Sequence, residues 1–154
     1  RGSGPPRRSI KTKALFYGIT ESITKEELLL IIFQLVCFEL KTLLDTTEGL
    51  TLYKFREIKV IGAACKNKLW LKLKADILGR DIAAYEIDEA VTKGAAILGA
   101  YKNGYIKDLN ITEKNVSVRK ISPDKKAFEY YNKFFHEIYK PFYDFKTDIE
   151  NKFY

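Results

Sequence analysis

The feature that most constrains this chain is an alternation of short β-branched runs with helical patterns. ALFYGI, Ala14 to Ile19, reads as a strand closed by Gly18. TKEE then predicts a capping box, with Thr24 capping a helix and Glu27 reaching back to it. In the helix LLLIIFQLVCFELKTLLDT, Glu27, Gln34 and Lys41 form a narrow polar stripe on an otherwise apolar cylinder. That pattern predicts burial by more than one layer, with Gly49 closing the unit. REIKVIGAA, Arg56 to Ala64, fits a central strand. Asn67 is a good N-cap for a helix carrying Leu69, Trp70, Leu73 and Ile77 and stopped by Gly79. DIAAYEI, Asp81 to Ile87, is a third strand. Asp88 is expected to cap a third helix, whose Gly94, Ala95, Ala96, Gly99 and Ala100 suit close packing and which Gly104 stops. This β-α-β-α-β-α order predicts a largely parallel sheet with crossover helices.

Beyond it, Lys107 to Lys120 reads as a connector with a short strand at VSVRK. Ser122-Pro123-Asp124 predicts a terminal helix with proline at its first position. Phe128, Tyr131, Phe135 and Tyr139 fall mostly on one face of it, a packing face in preference to a platform for bases. Pro141 is expected to break or kink it, and FYDFKTDIENKFY to form a short helix or frayed tail. No internal repeat is visible.

At 154 residues the chain fits one domain with a real core. Cys37 lies in an apolar run and reads as a small core residue. With Cys65 it makes a poor disulfide framework, and with His136 as the sole histidine a zinc site is disfavoured. The expected compartment is reducing and cytoplasmic. Leu28 to Phe38 is too short to span a bilayer, and no signal peptide is visible. The net charge of +7 and the basic run from Arg7-Arg8 to Lys13 leave a nucleic-acid binder as a distant reading, since no recognised motif supports it. RGSG reads as a cloning scar or linker, so residues 1–13 are taken as a scar or basic loop. The absence of methionine suggests a piece of something longer.

The corner VIGAACKNKLW, Val60 to Trp70, carries the functional argument. In open α/β sheets ligands bind outside the carboxyl ends of strands, where a helix N-terminus offers free N–H groups. Gly62, Ala63 and Ala64 followed by Asn67 suit a ligand held against the backbone. A tight strand-to-helix turn with nothing bound accounts for the same residues.

The run from about Ala14 to Gly104 resembles the C-terminal domain of FGGY-type carbohydrate kinases, such as xylulose, gluconate and glycerol kinases. ALFYGITESITKEELLLIIFQ is similar to the family's second signature, in Ala14, Phe16, Gly18-Ile19, Glu27, Leu28 and Gln34, with Ile31 departing from the usual small residue. VIGAACKNKLWLKLKADILGRDI resembles its glycine-rich adenosine motif, DEAVTKGAAILGAYKNG the segment after it, and the aromatic helix the family's closing helix. The resemblance implies an α/β, actin-like, ribonuclease-H-like ATPase domain: a partial sheet with crossover helices over 14–120 and an aromatic helical extension over 121–154. It implies that Gly62, Ala63, Ala64 and Asn67 hold the adenosine part of ATP, with Mg entering through the phosphates. Ala63 and Ala64 replace family glycines. At φ > 0 each would cost roughly 1 kcal/mol, and an extra methyl would crowd the nucleotide.

No catalytic residue is assigned, because the family's catalytic aspartate, phosphate loops and sugar contacts belong to segments not found here. Asp76, Asp81 and Asp88 read as helix-face, turn and capping residues, Glu89 as a dipole partner, and Lys66 as a solvated lysine or anion contact. The leading expectation is therefore the ATP-binding half of a cytoplasmic, bacterial-type sugar kinase, inactive alone and partnered by an N-terminal sugar-binding domain. The alternative is a non-catalytic nucleotide-binding or interaction module on the same fold. An unpaired strand edge at Ala14 to Ile19 would favour homodimers.

Overall fold

A computed structural model describes residues 12, 14–87, 89–109 and 116–153. The expected cap Asp88, the basic run through Arg7 and Arg8, and residues 110–115 of the connector lie outside them. Helix α1 spans Lys25–Thr51 and starts with the expected box. The Thr24 N–H donates to Glu27 Oε2 at 2.8 Å, and the Glu27 N–H returns to Thr24 Oγ1 at 3.2 Å. The helix does not stop at Gly49 but runs to Thr51, with Leu52 in the left-handed region at φ 57°. Glu48 explains this. Its buried carboxylate accepts from Arg80 Nη2 at 2.8 Å, Lys54 Nζ at 2.9 Å and the Phe55 N–H at 3.0 Å. These bonds hold the last turns of α1 and outweigh the ~1 kcal/mol penalty of a helical glycine.

Three strands follow: β1 (Ile58–Val60), β2 (Ile82–Tyr85) and β3 (Val118–Ile121), in the order β1-β2-β3. β1 and β2 run parallel, with Ile58 beside Ile82 and Val60 beside Ala84. β3 runs antiparallel to β2, so the sheet is mixed where a largely parallel one was expected. β1 is also shorter than the run Arg56 to Ala64, because the chain turns into a 3₁₀ segment at Gly62–Lys66. Ala14 to Ile19 forms no strand. No described strand lies beside it to complete a ladder, and the Tyr17 ring meets Phe142 at 5.7 Å instead. The edge on which homodimers were expected is therefore not formed.

Helix α2 (Lys68–Leu78) is the centre of the core. Its Leu71, Ala75 and Leu78 pack with Cys65, Ile82 and Ala84 against the sheet. Its Leu73 and Ile77 join Cys37, Phe38 and Phe135 on the other side. Burying a side chain such as Leu71 contributes roughly 1.5–3 kcal/mol. Gln34 and Lys41, in the polar stripe of α1, turn inward. Gln34 Nε2 donates to the Tyr131 hydroxyl at 3.1 Å, and Lys41 sits 5.1 Å from the centre of the Phe135 ring. The opposite side, with Leu29, Ile32, Leu35 and Val36, is 44–52% exposed, so α1 is covered by one layer among the described residues.

Helix α3 (Ala90–Lys102) buries none of its residues. A Cβ built at Gly94 or Gly99 would meet nothing within 4 Å, so the expected close packing is not made among the described residues. Helix α4 (Lys125–Phe134) is capped by Asp124, not opened by Pro123. The Asp124 N–H donates to Asp76 Oδ1 at 2.7 Å, and its side chain accepts from the Ala127 N–H at 2.9 Å, which holds Pro123 outside the helix. A π turn at Phe135–Tyr139 leads into α5 (Lys140–Phe153). Pro141 has no N–H for the preceding turn, so the helix widens there and continues. Phe38 stacks on Phe134, Phe135 and Tyr139 at 5.0–5.9 Å, which makes the aromatic stripe a packing face. None of the described helices is long and apolar enough to cross a membrane.

Candidate nucleotide cleft

At the carboxyl ends of β1 and β2 the chain opens into a cleft of about 600 Å³. One wall is the 3₁₀ segment, including Gly62, Ala63, Cys65 and Lys66. The other is the link from β2 to α3, including Glu86 and Glu89, with Ser117 beside them. Gly62 takes φ +78°, a conformation L side chains avoid, and there is open space where its Cβ would be. Ala63 is exposed and lines the cleft. Among the described residues only Leu52 and Glu89 are non-glycine residues with positive φ. Ala63 and Ala64 therefore carry no left-handed strain, and the cost expected of these replacements does not arise.

Ala64 and Asn67 do not line the cleft. Ala64 accepts the Asn67 N–H at 3.3 Å. Asn67 caps α2, with Oδ1 taking the Trp70 N–H at 3.0 Å. Of the four residues expected to touch a ligand, two thus face the cleft and two hold the turn behind it. Of the aspartates singled out as structural, Asp76 and Asp81 have partners, while Asp88 lies outside the described residues. Asp76 Oδ1 takes Lys72 Nζ at 2.7 Å, and Asp81 pairs with Lys120 at 2.8 Å. These bonds hold the Asp81 carboxyl below its ordinary range, chiefly through Lys120. Asp76 is buried, not on a solvated face.

Sequence reasoning missed Cys65, Glu86 and Arg119 at the site and read Glu89 only as a dipole partner. Cys65 is buried, and its thiol donates to the Val60 carbonyl at 3.1 Å and the Tyr85 carbonyl at 3.4 Å. It ties the turn to the ends of both parallel strands. Glu86 lines the far wall, and Arg119 reaches it at 2.7 Å. Glu89, with φ 50°, begins α3 without a side-chain cap bond. The one sequence signal was a cysteine among small residues at a corner. Glu86 and Arg119 had none: a short strand was expected at VSVRK, but no local pattern paired it antiparallel with β2.

Bare backbone at Gly62 and the small side chain of Ala63 leave this wall of the cleft open. No cluster of three or more histidine, cysteine or acidic residues able to hold a metal ion occurs among the described residues.

Comparisons with known proteins agree with this architecture. The model of the FGGY family of carbohydrate kinases, C-terminal domain, matches residues 1–102. Glycerol kinase of Streptococcus pneumoniae is 31% identical over 109 residues, covering 71% of this chain and 22% of that kinase. The chain thus spans about a fifth of the curated relatives it matches. The crystal structure of ligand-bound xylulose kinase from Lactobacillus acidophilus superposes with TM-score 0.66 and 20% identity, covering 96% of this chain and 29% of that one. Xylulose kinase from Rhodospirillum rubrum gives TM-score 0.66 at 16% identity, over 86% and 28%. The fold is accordingly the actin-like, ribonuclease-H-like ATPase fold. The chain belongs to the FGGY family of carbohydrate kinases and carries its C-terminal domain.

Proposed function

We propose that this chain is the nucleotide-side part of an ATP-dependent sugar kinase, with the cleft receiving the adenosine part of ATP. The observation that carries this reading is the Gly62–Ala63 backbone, bare and open at the carboxyl ends of two parallel strands. Gly62 and Ala63 would approach the nucleoside, while Ala64 and Asn67 hold the turn. Mg would enter with the phosphates. Transfer of the γ-phosphate to a sugar hydroxyl needs a carboxylate to take the proton and contacts to fix the sugar. In this reading both come from an N-terminal sugar-binding domain, and the chain alone transfers no phosphate. The half-exposed apolar side of α1 supports a further body of protein packed there. Titration with ADP, followed by calorimetry and amide shifts, tests the reading. Shifts at Gly62 to Asn67 in the millimolar range are expected. The absence of both heat and shifts at millimolar ADP would overturn it.

A non-catalytic module on the same fold is the second reading, favoured by the Ala63 methyl in the cleft. Restored sugar-dependent ATP turnover on joining the chain to its N-terminal partner domain would exclude it.

A further inference from the structure

We propose that Arg119 is a positioning residue that sets the width of the nucleotide cleft by bridging its two walls. The inference rests on the nucleotide reading above. Arg119 stands on β3, opposite Ala84 of β2. Its Nη2 donates to the Cys65 carbonyl at 2.9 Å and to Glu86 Oε1 at 2.7 Å. Cys65 belongs to one wall and Glu86 to the other, while Arg119 itself lies behind the lining.

The turn needs such an anchor. A 3₁₀ segment of five residues exceeds the usual three or four, and its hydrogen bonds are poor. Its N-cap, Ile61, supplies no side-chain bond. The Cys65 thiol fixes the turn to the ends of β1 and β2, which leaves its carbonyl side to be fixed by β3. The far wall is tied to the entry of the same strand, since the Glu86 N–H donates at 3.0 Å to the carbonyl of Ser117, one residue before β3. Arg119 Nε is buried without a hydrogen-bond partner among the described residues. The fold thus keeps an arginine whose single Nη2 bridges the two walls, although its Nε makes no bond among the described residues.

The same contact has an electrostatic consequence. Glu86 would otherwise offer a bare carboxylate to a cleft that takes an anion. Paired with Arg119, it meets the ligand as half of a neutral pair. Geometry and charge are separable. Arg119→Gln removes the bridge, Glu86→Gln keeps an acceptor and removes the charge, and the double variant removes both bridge and charge.

Amide shifts and hydrogen exchange of the full chain, without nucleotide and then with ADP, decide the matter. Arg119→Gln is expected to move the amide signals of Cys65, Lys66 and Asn67 and to speed exchange there. The amides of Leu71 and Ala75 should stay protected. It should weaken ADP about tenfold, the effect of one charge-assisted hydrogen bond. Glu86→Gln should stay within about twofold of the parent, and the double variant should remain about tenfold weaker. Recovery of parental affinity in the double variant would mean that Arg119 only balances charge, and would overturn the proposal. Corner signals unchanged in Arg119→Gln, or protection lost equally throughout α2, would overturn it as well. If the parent chain shows no response to ADP, the nucleotide reading fails. The signals without ligand then decide alone whether Arg119 holds the two walls.

Discussion

Gly79 offers a quantitative test of how α2 and α4 meet. It ends α2 at φ +64°, with its N–H bonded to the Ala75 carbonyl at 2.8 Å. A Cβ built there lies 2.6 Å from Phe128 Cδ2 and 2.8 Å from Cζ, closer than real contacts allow. Gly79→Ala therefore carries two costs. The left-handed backbone costs about 1 kcal/mol for a residue with a Cβ. Displacing the ring costs about 1–3 kcal/mol, the usual range for overpacking. The sum, about 2–4 kcal/mol, is a large share of a domain stability of roughly 5–15 kcal/mol. In a Phe128→Ala background only the first cost remains, so Gly79→Ala should then cost about 1 kcal/mol. The coupling between the sites should be about 1–3 kcal/mol, read from urea midpoints at constant m. Equal costs in both backgrounds would show that the ring is no obstacle. A cost below about 0.5 kcal/mol in the parent would remove the backbone argument too.

Arg80, Lys54 and the Phe55 N–H hold the Glu48 carboxyl far below its ordinary range, with Arg80 the largest cause. Its contribution is complete above the unfolded carboxylate pKa of roughly 4.3 and is lost as pH falls below it. Urea midpoints from about pH 6 to pH 3 should fall steeply in the parent and less in Glu48→Gln, which starts lower. Lys74 is 7% exposed, lies 3.7 Å from the Trp70 ring centre, and is pushed down from the ordinary lysine range by burial. The unfolded chain then binds the extra proton, so stability should rise as pH approaches about 10.4. Lys74→Met should abolish that rise and be neutral or stabilising near pH 7. Burial pushes the Cys37 thiol up to about 11, so a thiol reagent near pH 8 should label it only when the chain unfolds. Asn67→Ala removes the cap on α2 and should cost about 1 kcal/mol by urea melt.

Features decided by neighbours in sequence were legible. The Thr24–Glu27 box, the Asn67 cap and the Gly79 stop all formed, because each needs only a few consecutive residues. Features decided across the fold were not. Gly49 reads as a stop, yet Glu48 is held by Arg80, 32 residues away. Pro123 reads as a first helical residue, yet Asp76, 48 residues before Asp124, takes the Asp124 N–H, and the helix starts two residues later, at Lys125. The candidate site divides in the same way. Gly62 and Ala63 stood out because glycine and alanine cluster at a strand end. Arg119 arrives 54 residues after Cys65 on a strand whose antiparallel pairing no local pattern revealed.

The π turn at Phe135–Tyr139 has a consequence for the tail. Each residue of an α-helix turns the chain by about 100°, so a widened turn re-phases everything after it. At its start, Phe134 and Phe135 stack on Phe38, whereas Phe142, after it, meets Tyr17. One extra residue thus lets a single rod serve two partners on different sides. Losing one residue within 135–139 would re-phase the last 14 residues, Lys140–Phe153, against these partners.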